Sequence, residues 1–216
     1  MWYGAGMSPA AHRAAGRRAA PLAPGARRSA LVSATLPLLR RRGFDVSTRQ
    51  IALAAGVAEG TIFRAFPDKD SLIRAAILAA FDPAPVVSAL DGIDRGAPLA
   101  QRLIVAVRIV QVWLTGVIGL MTALHASHRP GAKPHFRRPH PSELVGAALA
   151  RLIEPDRALL RVPAPQAARL LRLLLFAGSH PMITDGPLLS PAEIVSVILE
   201  GIRVHSVPTR QESPAC

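Results

Sequence analysis

The sequence predicts an all-α protein in two parts, a short N-terminal group of helices and a larger helical C-terminal region. Three observations carry that expectation. Half of the 216 residues are apolar but only 4% are aromatic, which suits packed Ala, Leu, Val and Ile helices better than a β-sandwich. Apolar residues recur at helical spacing along most of the chain, and strand-like alternation is hard to find. Finally, "IALAAGVAEGTIFRAF" (51–66) reads as helix on both sides of Gly56. A glycine inside a continuous helix costs about 1 kcal/mol relative to alanine, so the chain is expected to turn there. Neither flanking helix is long enough to survive alone.

Taken in order, residues 1–27 are Arg-rich and free of acids, with no sustained apolar core of the kind a secretory signal needs. They read as a disordered basic arm. "SALVSATLPLLRRRG" (29–43) places Leu31, Ala34, Leu38 and Leu39 on one helix face and ends in three arginines before Gly43. Pro37 implies a kink or a late start to that helix. "STRQ" (47–50) forms a capping box, so a second helix begins near Thr48 and stops at Gly56. A third runs from about Glu59 to Phe66, and Asp68 caps a fourth over Lys69–Ala80.

These short helices have a use together. Ala52, Gly56 and Ile62 stand at spacings that a helix-turn-helix requires: a small residue where helices touch, a glycine free to take positive φ, and an apolar anchor on the second helix. The formal charge is +12, and residues 1–82 carry 12 Lys and Arg against 5 Asp and Glu. A basic surface of this kind attracts phosphates, making nucleic acid the leading partner.

The stretch "STRQIALAAGVAEGTIFRAFPDKDSLI" (47–73) resembles the DNA-binding module of the TetR family of bacterial transcriptional repressors. Thr48, Ile51, Ala52, Ala55, Gly56, Val57, Gly60, Thr61, Phe63, Phe66, Lys69, Asp70 and Leu72 match that family's pattern in order. The chain departs from it at Ala58, where Ser is common, and at Phe63, where Tyr is common. The first removes a side-chain cap from the recognition helix and the second removes a phenol that could donate to a phosphate, so either Arg64 or Thr61 carries that contact or the register on DNA differs. The resemblance implies a helix-turn-helix domain at 28–81, a helical effector-binding and dimerisation domain at 82–204 and a flexible tail at 205–216. It implies a homodimeric repressor on double-stranded, palindromic operator DNA, released by a small-molecule effector.

Side-chain chemistry assigns roles within that module. Thr48, Thr61 and Lys69 are short or cationic donors at helix starts and suit phosphates, and Gly60 and Phe63 are counted with them as DNA-binding candidates. Arg49, Gln50, Glu59 and Arg64 are the candidate base readers, since Arg suits guanine, Gln adenine, and Glu can accept from cytosine N4.

The C-terminal region reads as further helices. "APLAQRLIVAVRIVQVWLTGVIGLMTALHAS" (97–127) is apolar all round and therefore expected to be buried; Arg108 and Gln111 interrupt it and leave too short a run to span a bilayer. A Pro, His and Arg-rich loop follows, then helices near 142–153, over 163–178, and over 190–202 with a Ser190–Glu193 capping box. The last two carry more Leu, Ile and Val than one core face needs, so Leu170, Leu174, Val195 and Ile198 are the candidates for a dimer interface. Trp113, Met121, His125 and Phe176 are the candidates for an effector pocket.

Other chemistries find little support. His125, His128, His135 and His140 have no acid or cysteine close by, which argues against a metal site. Adjacent Ser179 and His180 do not make a nucleophile and base, and no cofactor is expected. A single cysteine, Cys216, excludes an intrachain disulfide framework and fits a reducing, cytoplasmic compartment. The alternatives to a regulator are a basic helical protein on anionic membrane surfaces and a helical enzyme, with no membrane partner in the favoured reading.

Overall fold

Side chains three residues apart fix where several helices begin. The Ser47 hydroxyl accepts from Gln50 N–H while the Gln50 amide oxygen accepts from Ser47 N–H, and Asp68 and Ser71 repeat the arrangement. Ser190 and Glu193 do the same before the last helix. Each pair satisfies N–H groups that a helix start leaves without partners.

The computed structural model describes residues 23–127 and 142–202. The tail at 205–216, residues 1–22 of the expected arm, and His128, His135 and His140 lie outside the described residues. The described elements are helical, as the sequence predicts. They are α1 (Pro24–Arg42), α2 (Thr48–Ala55), α3 (Gly60–Ala65), α4 (Lys69–Phe81), α5 (Ala84–Asp91), α6 (Leu99–Ala126), α7 (Ser142–Ile153), α8 (Ala164–Gly178), α9 (Pro181–Thr184) and α10 (Pro191–Ile202). Short 3-10 turns follow α1 and α7.

Three expectations need correction. First, α1 starts at Pro24, so residues 24–27 of the expected arm are already helical; proline is well placed in a first turn, where its missing N–H has no partner to lose. The helix continues through Pro37, and its buried face is Leu31, Thr35 and Leu39. Thr35 is tolerated there because its hydroxyl donates to Leu31 O at 2.7 Å. Second, α5 was not expected, because the prolines around it obscure the period, yet Val86 and Leu90 are buried in the core.

Third, α6 is not buried all round. Its 28 residues make it long and apolar enough, by length and composition, to cross a membrane. Val105 and Val112 are exposed, the latter by 70%. Its apolar content serves two cores instead. Leu103, Ala106, Val107 and Val110 pack with α5, α7, α8 and α10, while Leu120 and Leu124 pack with α1 to α4 around Leu31, Ile51, Ile62 and Phe66. Arg102, only 4% exposed, pairs with Asp156 and donates to the carbonyls of Arg95 and Ala97, so its buried charge is matched.

Candidate nucleic-acid interface and adjoining cavity

Gly56 makes the turn between α2 and α3. Its φ of 65° and ψ of 32° are left-handed; its N–H reaches Leu53 O at 3.2 Å, and Val57 N–H reaches Ala52 O at 3.0 Å. Together these two bonds close the end of α2 around a glycine. Ile62 and Ile51 are fully buried and hold the pair against α1 and α4. The opposite face of α3 is open: Gly60, Phe63 and Arg64 are exposed there, with Phe63 at 53%. Glu59 stands at the N-cap of α3, and no side-chain cap bond is made there.

The candidates differ in how free they are. Arg49 and Arg64 are exposed. Thr61 is half-buried. The Thr48 hydroxyl donates to the Glu59 carboxylate, joining the start of α2 to the start of α3. Either group must release the other before it meets DNA. Gln50 uses its amide oxygen in the Ser47 cap, so a bidentate adenine contact would break that cap. Lys69 is half-buried, and its Nζ donates to Phe44 O at 3.0 Å.

Arg28 was passed over in the sequence because it stood beside the expected arm. Its Nη1 donates to Ala65 O at 2.8 Å, and its guanidinium carbon lies 4.0 Å from the centre of the Phe66 ring. It therefore closes the C-terminal end of α3 by a hydrogen bond and a cation–π contact. At the start of α4, the Asp68 carboxyl is held below its ordinary pKa chiefly by the Ser71 backbone N–H, with help from the Ser71 hydroxyl and the Arg74 charge.

A cavity of about 700 Å³ lies against α6, lined also from α4, α7, α8 and α9. Trp113, Met121, His125 and Phe176, four residues scattered over 64 positions of sequence, all line it. Trp113 Nε1 donates to Ala80 O at 3.0 Å, which fixes the indole across the end of α4. His125 Nδ1 pairs with Met121 O at 2.7 Å. Sequence reasoning missed Arg172, His180 and Met182 on the same lining. Among the described residues no three potential metal ligands come together. Ser179 is fully buried, and its Oγ, like His180 Nδ1, has no hydrogen-bond partner, so the two side chains do not engage each other.

The candidates for a dimer interface lie mostly inward. Val195 is 2% exposed and belongs to the core of its own subunit, which removes it from a seam between subunits. Leu170, Leu174 and Ile198 are half-buried and pack against that same core. The exposed apolar residues of α8 and α10 are Leu173, Phe176 and Val197.

Residues 31–76 match the family described as bacterial regulatory proteins, tetR family. No curated protein matches the chain in sequence. Among solved structures, a TetR transcriptional regulator from Streptomyces coelicolor is 23% identical, with a TM-score of 0.53 over 82% of this chain and 98% of that one. A protein from Mesorhizobium loti assigned to the TetR family is 18% identical, with a TM-score of 0.60 over 85% and 100%. A second tetR-family regulator from Streptomyces coelicolor is 22% identical, with a TM-score of 0.55 over 83% and 80%. At these identities the likeness is one of fold.

Proposed function

We propose that the chain, whose residues 31–76 match the tetR family of bacterial regulatory proteins, is a DNA-binding transcriptional regulator, a homodimeric repressor released from its operator by a small molecule held against α6. Arg49 and Arg64 read base edges, Thr61 and Lys69 meet phosphates, and Phe63 packs against the groove wall. Two recognition helices then address half-sites about one helical turn apart. The domain boundaries that go with this reading are 24–81 for DNA, beginning where α1 begins, and 82–204 for effector and partner.

The observation that carries the reading is the reach of α6. The helix lines the cavity from Val110 to His125, and just beyond it Ser127 Oγ accepts the backbone N–H of Phe44 at 2.9 Å. Arg40, at the end of α1, lies over Gly116 near the middle of the same helix, with Nη2 3.0 Å from where a Cβ would stand. A ligand that shifts α6 has differential contact with two arrangements of the DNA-binding domain, which a population shift requires.

Sequencing genomic fragments retained by the purified protein, followed by titration of a retained duplex at several salt concentrations, tests the proposal. A shared two-fold-symmetric site and affinity falling linearly in log salt are expected. Fragments without a common site, or equal binding to anionic vesicles, would overturn it.

A further inference from the structure

We infer that Phe63 reads thymine through its 5-methyl group, so that each half-site of the operator carries a thymine at one fixed position; the inference rests on the reading of α3 as the helix that enters the major groove. The observation behind it is a ring for which the fold has no use. Ile62 is fully buried, whereas Phe63 beside it points away and belongs to neither core. Phe66, three residues on, is only 1% exposed and lies beneath the Arg28 guanidinium. Among the described residues Phe63 has no ring or cation partner of that kind. Its exposed face is therefore available to a partner molecule.

The chemistry of the ring selects the base. A phenyl group makes no conventional hydrogen bond, so the amino and carbonyl groups of a base edge lose water to it and gain nothing in return. Along the major groove the thymine 5-methyl is the group that offers an apolar contact. Phe63 is thus matched to thymine and mismatched to the polar edges of the other bases.

Gly60 supports close approach. It stands three residues before Phe63 on the same exposed face of α3. A Cβ there would meet nothing within 4 Å, and the residue is not among those with positive φ. Neither packing nor backbone conformation calls for glycine at this position. Its missing side chain lowers the face of the helix beside the ring, which brings the phenyl nearer to a base edge. Arg64, exposed next to Phe63, keeps that face cationic toward DNA.

Replacing thymidine by deoxyuridine removes the methyl and leaves base pairing intact, and this is the test. A duplex recovered from the retained genomic fragments is remade with deoxyuridine, first throughout and then at one position at a time. Parent affinity should fall about fourfold per half-site, the worth of one buried methyl, or about fifteenfold over two. Single replacements should trace the loss to one thymine in each half-site. Phe63→Ala, checked for folding by circular dichroism and melting, should bind the thymidine duplex about as weakly as the parent binds the deoxyuridine one. A further replacement of that thymine should then cost the variant less than about twofold. Gly60→Ala should melt no lower than the parent yet bind the duplex more weakly. A parent indifferent to deoxyuridine would overturn the inference. So would a thymine preference undiminished in folded Phe63→Ala, or a loss in that variant that is equal on every duplex, which would place the ring against the sugars. If the fragments share no site, the regulator reading falls as well. If a shared site is bound equally with and without the methyls, that reading stands and this inference alone falls.

Discussion

The backbone N–H of Phe44 donates to the hydroxyl of Ser127 at 2.9 Å, a bond spanning 83 residues of sequence between the turn after α1 and the cap of α6. Ser127 Oγ in turn donates to Ala123 O at 3.0 Å, and Phe44 O accepts from Lys69 Nζ, so the end of α6 reaches the start of α4 through one residue. The approach is possible only because residue 43 has no side chain. Gly43 holds φ 55° and ψ −134°, and a Cβ on it would stand 1.8 Å from Ser127 Oγ and 2.6 Å from Ala123 O.

Gly43→Ala should therefore destabilise the protein by at least about 2 kcal/mol, since backbone strain and steric overlap act together. Adding Ser127→Ala should not restore stability, because the Ala123 carbonyl is still in the way. Thermal melts of both variants check this; a parent-like melting temperature in Gly43→Ala would show that the turn relaxes freely.

Lys69→Ala separates two roles of one side chain. If an N–H of the ammonium left over from Phe44 meets a phosphate, the variant should bind every duplex more weakly by a similar factor and its log–log salt slope should fall by roughly 1. Titrations at four or five salt concentrations measure it. A lower melting temperature with an unchanged slope would assign Lys69 to the fold alone.

Much of this was legible because the signals were local. Ser47, Asp68 and Ser190 announce their helices through a partner three residues on, and Gly56 announces its turn through the apolar residues on either side. What stayed hidden depends on distant partners. Nothing local marks Arg28 as the residue that closes α3, because Phe66 and Ala65 lie more than thirty positions away. Likewise the period of α8 and α10 defines an apolar face but not its phase against the core. Val195 thus looked like a seam residue although it is buried, while Leu173 and Val197 were overlooked although they are exposed. Arg172 escaped notice because its position beside the cavity depends on a glycine in another helix.

The cap of α4 should show a definite pH dependence. Asp68 is held below its ordinary pKa, first by the Ser71 N–H, so its ionised form favours the folded state. A depressed carboxyl contributes stability above its unfolded pKa and loses it as pH falls through the folded value. Asp68→Asn keeps a cap without the charge. The parent should melt higher than the variant at neutral pH, with that advantage fading once the pH drops below the ordinary carboxylate range. An advantage that persists in acid would show that charge is not what the cap supplies.

The proposed dimer offers the last test, with its residues revised by burial. Leu174→Glu or Val195→Glu would place a carboxylate in a subunit's own core and report misfolding rather than dissociation. Val197 is 58% exposed on α10 and does not line the cavity, whereas Leu173, 55% exposed on α8, also lines it, so Val197 is the cleaner of the two tests. A glutamate at either position is harmless to an isolated subunit but, in a symmetric seam over α8 and α10, is buried twice and costs several kcal/mol. Val197→Glu and Leu173→Glu should thus stay helical by circular dichroism, become monomeric by light scattering, and lose affinity for a two-half-site duplex while keeping weak affinity for a single half-site. If both remain dimeric, the partner covers another apolar surface. The exposed side of α6 at Val105 and Val112 is then the next surface to test, by the same substitution at Val112.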